Sequence, residues 1–139
     1  NVDFVYNTDF KLNNENETIQ WINAFCKSEG FSIDSLVFAF FNDKELKDLN
    51  VKFLNHDYFT DVISFDESYD GFVKGNIAIS IDRVKENASE FSCSFDDELR
   101  RVIIHGVLHF MGFNDKTDDE KKKIKEKENF AIEMFHVKR

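Results

Sequence analysis

The chain has 139 residues, with 18 basic against 27 acidic side chains and a formal net charge of −9 at pH 7. A hydrophobic share of 42% with 17 phenylalanines excludes wholesale disorder, and the length fits one domain over residues 1–139 with a core of its own. The acidic balance disfavours a general basic clamp for nucleic acid, because the overall field repels phosphate and leaves only local basic patches to such a partner.

Val2 to Tyr6 alternates and is β-prone, so it reads as a short strand. From about Thr18 to Ser28, Ile19, Trp21, Ile22, Phe25 and Cys26 recur at helical spacing, and Gly30 supplies a stop. Ser35 to Phe41 is a buried-strand pattern. Asp43 to Leu54 sets Leu46, Leu49 and Phe53 on one helical face. Asp61 to Phe65 and Phe72 to Ile81 read as two more strands, the second with a bend at Gly75, and Asp82 to Phe91 as a short amphipathic helix. Ser94 to Asp97 resembles a capping box and opens a helix to about Met111, which Gly112 can end. Thr117 to Glu120 is a second box, opening a helix to about Phe135 with Ile124, Ala131, Ile132 and Phe135 on its apolar face. This order predicts an α+β fold with helices packed on one mixed sheet.

Cys26 and Cys93 lack metal-type spacing and read as two reduced, partly buried thiols, which fits a cytoplasmic protein. No stretch is long and apolar enough to span a membrane, and the N-terminus does not read as a signal peptide.

The informative stretch runs from Arg101 to Asp115, RVIIHGVLHFMGFND. Between Val102 and Phe113 only His105 and His109 are neither apolar nor glycine. A helix apolar on all sides is a buried helix, and each buried ring nitrogen left unpaired would cost roughly 1–3 kcal/mol. Spaced four apart, both histidines project from one face about 6 Å from each other, close enough to bind one metal ion. Gly112 lets the chain turn back, and Asp115 follows at the position of a third ligand. The layout H-x3-H-x2-G-x2-D has the positional plan of a catalytic zinc site with one coordination position left for water. A turn-forming role for Asp115 is the rival reading. Gly106 stands where a zinc peptidase carries its general-base Glu, which counts against peptidase chemistry. Two neutral imidazoles and one carboxylate leave a divalent ion a formal charge of +1. The same donor set also serves non-haem iron oxygenases.

At these residues the chain resembles the YbeY family of single-strand-specific endoribonucleases, whose motif reads H-G-x-L-H-x-x-G-[YF]-D-H. The likeness extends to Thr60 to Phe65 (family T-[DN]-V-[LI]-S-F), Gly75-Asn76-Ile77 (family G-D-I), Glu45 to Asn50, and the acidic start of the last helix at Asp118. Asp115 stands where the family pattern has a third His, and Leu54, His56 and Phe59 where it has Arg, Lys and Pro. The resemblance implies a zincin-like fold, with the His-bearing helix central. It also implies metal-dependent cleavage of single-stranded ribosomal RNA during rRNA maturation and ribosome quality control. On that reading His105, His109 and Asp115 hold one Zn2+ or another divalent ion and carry catalysis. Partners would be the ribosome or a ribosomal protein, not DNA or a membrane. His56, Asp61, Ser64 and Arg83 are candidate substrate contacts, with Lys47 and Lys52 as further phosphate candidates. The Lys121–Lys123 cluster, interleaved with acids, reads as an ion-paired helix surface. Two other readings stand beside this one: a metallopeptidase with an unusual base, and a ribosome-associated factor whose metal is structural.

Overall fold

The computed structural model describes residues 1–137. Four strands, β1 (Val2–Tyr6), β2 (Ser32–Phe41), β3 (Val62–Asp66) and β4 (Phe72–Ser80), form one mixed sheet in the order β1-β2-β4-β3. β1 and β2 pair in parallel, as do β2 and β4, whereas β3 runs antiparallel to β4. Five helices accompany them: α1 (Glu15–Ser28), α2 (Asp43–Leu54), α3 (Ile81–Glu90), α4 (Phe95–Phe110) and α5 (Asp118–Val137). The α+β class expected from the sequence is therefore the one observed.

Alternation along β4 decides which helix packs where. Ile77 and Ile79 enter the large core, which takes in Trp21, Ile22 and Phe25 of α1, the apolar residues of α4, and Ile124, Ala131 and Phe135 of α5. Ala78, between them, faces the other way and meets Leu46 of α2 and Ile63 of β3. Helices thus cover both faces of the sheet, with α2 opposite α1, α4 and α5. α5 is tied to α1 by the Trp21 indole, which donates to the Ala131 carbonyl at 2.7 Å.

Most boundaries fall within two residues of the sequence reading, and two starts differ by three. α1 begins at Glu15, three residues before Thr18, because acidic Glu15 and Glu17 suit the positive end of a helix although the apolar stripe starts later. β2 begins at Ser32, and an irregularity between Ile33 and Ser35 in its pairing with β4 breaks the period that a sequence pattern relies on. At the Thr117 box, the Thr117 hydroxyl accepts from Glu120 N–H at 3.1 Å and the Glu120 carboxylate accepts from Thr117 N–H at 2.9 Å. The Ser94 box is half made: Ser94 Oγ accepts from Asp97 N–H, but the Asp97 carboxylate turns to Arg100. Both cysteines are free; Cys26 is buried, as a small core side chain, while Cys93 is exposed rather than partly buried. Among the described residues no helix is long and apolar enough to cross a membrane.

Candidate metal centre

α4 leans on the sheet through Gly106. A Cβ there would lie 3.0 Å from Ile77 Cδ1, so the small residue sets how closely the helix approaches β4. The same contact leaves no room for the carboxylate that a zinc peptidase carries at this position. With Gly106 turned to the sheet, His105 and His109 face outward, partly buried, with ring centroids 4.6 Å apart.

The turn after α4 completes the cluster. Gly112, at φ +95°, donates to the His109 carbonyl, and Phe113 N–H donates to the Leu108 carbonyl, the paired bonds of a Schellman end. Reversed in this way, the chain presents the Phe113 carbonyl to His109 Nδ1 at 2.9 Å. It also carries Asp115 back, so that its Oδ2 lies 3.5 Å from His105 Nε2 and 3.6 Å from His109 Nε2.

The remaining ring nitrogen, His105 Nδ1, donates to Glu128 Oε2 at 2.7 Å. Glu128 is buried on α5 and lies 3.7 Å from Arg101, which is itself bidentate to buried Glu98 and lies 3.5 Å from Asp61. With both Nδ1 atoms occupied as donors, each imidazole turns its Nε2 lone pair inward, and the two Nε2 atoms stand 3.1 Å apart. These two nitrogens and the Asp115 oxygen lie within 4.8 Å of one another. Two imidazoles held by outer hydrogen bonds plus one carboxylate suit a divalent cation, so the residues present fit a metal ion.

Glu128 is the member that sequence reasoning missed. Ile124, Ala131 and Phe135 outline a buried stripe in which position 128 is the missing slot, but an acid fills it, and its burial shows only in the packed helix.

A cavity of about 420 Å³ opens beside the cluster, lined by His105, His109 and Asp115 on one side and by Asn50, His56, Tyr58, Asp61 and Ser64 on the other. Pairing with β4 settles the parity of β3: Ser64 sits opposite Ile77, on the α4 side of the sheet. Asp61, just before the strand, is held by Asn87 at 3.2 Å and by Arg101. His56 stacks on Tyr58, whose hydroxyl is 2.9 Å from His56 Nδ1. Three of the four candidate substrate contacts therefore meet at this cavity. Arg83 does not line it; its guanidinium donates to Asp43, pairs with Glu86 and lies over Phe59. Lys47 and Lys52 also lie off the cavity, beside Asp57 and Phe59 and over Phe53 respectively.

Burial disfavours a charged His105, yet the Glu128 hydrogen bond and charge, with Asp115 adding to them, outweigh it and raise the His105 pKa above the ordinary imidazole value. A raised pKa stabilises the folded protein fully below the unfolded value near 6.5, and that contribution fades as pH rises through the folded value. A protonated Nε2 cannot ligate, so proton competition with the metal starts above the ordinary histidine range. We expect the apparent Zn2+ affinity to fall on acidification from that higher pH, and Glu128→Gln to move the fall to lower pH while weakening binding about 10- to 100-fold overall. Zn2+ titrations across pH check both parts; a wild-type affinity flat down to about pH 6 would refute the first.

A family profile described as Endoribonuclease YbeY matches residues 4–136. The protein named Endoribonuclease YbeY from Christiangramia forsetii is 43% identical over 136 residues, covering 98% of this chain and 95% of its own length. Its namesake from Flavobacterium psychrophilum is 42% identical over 137 residues, with 99% and 98% covered. The solution structure of TM1509 from Thermotoga maritima superposes with a TM-score of 0.75 at 27% identity, covering 99% of this chain and 91% of that one.

Proposed function

The chain belongs to the YbeY endoribonuclease family, and we propose that it hydrolyses single-stranded RNA at the His105–His109–Asp115 centre, in the maturation and quality control of ribosomal RNA. The observation that carries the site assignment is the pair of inward-facing Nε2 atoms, 3.1 Å apart, with both Nδ1 atoms already committed to Glu128 and Phe113. His105, His109 and Asp115 would hold one divalent cation, which we take to be Zn2+. When bound, such an ion supplies Lewis-acid polarisation of a water or a phosphoryl oxygen.

The chain's own groups do the rest. Glu128 and the Phe113 carbonyl fix the tautomer and aim of the two rings. The Ser64 hydroxyl is a donor on the cavity wall for a phosphate oxygen. The exposed His56–Tyr58 stack offers a flat face for a base, and such stacking is tolerant of sequence. This pair stands near where the family pattern carries basic residues, so stacking takes over part of a role that charge would otherwise fill. Asp61, held by Arg101 and Asn87, shapes the wall beside Ser64.

The −9 charge makes binding to bare RNA weak and salt-sensitive, which favours targeting through the ribosome or a ribosomal protein in the cytoplasm. The test is removal of the metal. Chelation should abolish cleavage of a single-stranded ribosomal RNA fragment, and added Zn2+ should restore it. Cleavage that persists unchanged after the metal is shown to be gone would overturn the proposal.

A further inference from the structure

His105 and Asp115 also line a second cavity, of about 660 Å³, on the far side of the ligand cluster between α4 and α5. From α5 it receives Lys121, Ile124, Lys125, Asn129 and Ile132, one stripe of the helix, and Phe91 stands at its mouth, 60% exposed.

Charge accounting singles out the two lysines. Three of the carboxylates in this cavity already have partners: Asp97 binds Arg100 and His136, Glu98 binds Arg101, and Glu128 binds His105. Asp115, the fourth, belongs to the ligand cluster. The ion pairs that the sequence suggests within α5 are absent among the described residues, where the Lys121 and Lys125 side chains make no ion pair or hydrogen bond; the Lys121 main-chain N–H donates to the Thr117 carbonyl. This wall therefore carries two cations with no ion-pair partner among the described residues, on a chain whose net charge is −9.

A polynucleotide whose scissile phosphate sits at the ligand cluster must continue on both sides of it. The first cavity takes one side. Resting on the hydrolase reading above, we propose that the α4–α5 groove is a second RNA subsite. It takes the flanking nucleotides on the other side, with Lys121 and Lys125 on the phosphates and Phe91 as the stacking face for a base. Apolar walls, one exposed aromatic ring and two free cations are the combination that single-stranded nucleic acid uses.

The test compares wild type, Lys121→Ala/Lys125→Ala, the charge-keeping Lys121→Arg/Lys125→Arg, and Phe91→Ala. The substrate is an unstructured single-stranded oligoribonucleotide of about a dozen bases, studied over a range of salt with Zn2+ loaded. Lys122, exposed on α5 but outside the groove, supplies the control Lys122→Ala. For the double alanine variant we expect KM to rise about tenfold with a smaller change in kcat. The slope of log(1/KM) against log salt should be shallower by about 1.4, since each single-strand phosphate contact contributes about 0.7. The double arginine variant should keep the wild-type slope. Phe91→Ala should raise KM without altering the slope. Equal KM and slope in wild type and the double alanine variant would overturn the subsite while leaving the hydrolase reading intact. A wild type that cleaves no single-stranded RNA would overturn both.

Discussion

His105→Ala should lower cleavage of single-stranded RNA by at least about 10³-fold, because it removes one of three ligands and with it the Lewis acid. The substitution also leaves the buried Glu128 carboxylate without its hydrogen-bond donor, so folding must be followed separately. His109→Ala provides the second arm. Its Nδ1 partner is only the main-chain carbonyl of Phe113, so less is orphaned in the interior, and the same loss of activity is expected with near-native circular dichroism. Metal content should fall in both variants. If both retain wild-type cleavage, the catalytic assignment fails. If both lose their metal and unfold, and the folded wild type has no nuclease activity, the structural-metal reading takes its place.

Gly75→Ala should unfold the protein more effectively than any substitution at the ligands. Gly75 sits in β4 at φ +152°, where an L side chain is strained, and an added Cβ would collide with the Phe65 carbonyl and meet the Phe110 ring at 2.8 Å. The first obstacle is backbone of the paired strand, which cannot swing aside as a side-chain end could. The second is the last residue of the His-bearing helix. The expected cost is about 3 kcal/mol, or roughly 10 °C in Tm for a chain of this size. Thermal and urea unfolding check it; a Tm within a few degrees of wild type would show that β3 and α4 can yield.

The contrast between these two sites explains what was legible in the sequence. His105, His109, Gly112 and Asp115 fall within one short segment, so helical periodicity and a single turn suffice to bring them together. Gly106 was legible as the absence of a base, but not as the contact with Ile77 that sets the depth of α4. Glu128 lies on another helix, in a run of alternating charges where any single acid looks solvated. Only the packing of α5 on α4 shows that this one is buried. Ser64 posed a different difficulty: a five-residue strand has two faces, and only its register with Ile77 of β4 identifies the one towards α4. The reading of Lys121–Lys123 as a paired surface failed because, among the described residues, the acids of α5 do not pair with these lysines. Glu120 serves the Thr117 cap and Glu128 serves His105, while Lys123 lies over the Phe113 ring.

The link between α1 and α5 makes the chain its own optical gauge. Trp21 is the single tryptophan, nearly fully buried, and its indole N–H is held by the Ala131 carbonyl. Ala131 follows Glu128 by less than one helical turn. Indole emission therefore reports whether α5 is seated, and a seated α5 is what places the Glu128 carboxylate against His105. A red-shifted emission would flag chains in which the ligand cluster has lost its outer support, in the same cuvette as the nuclease assay and without any added label.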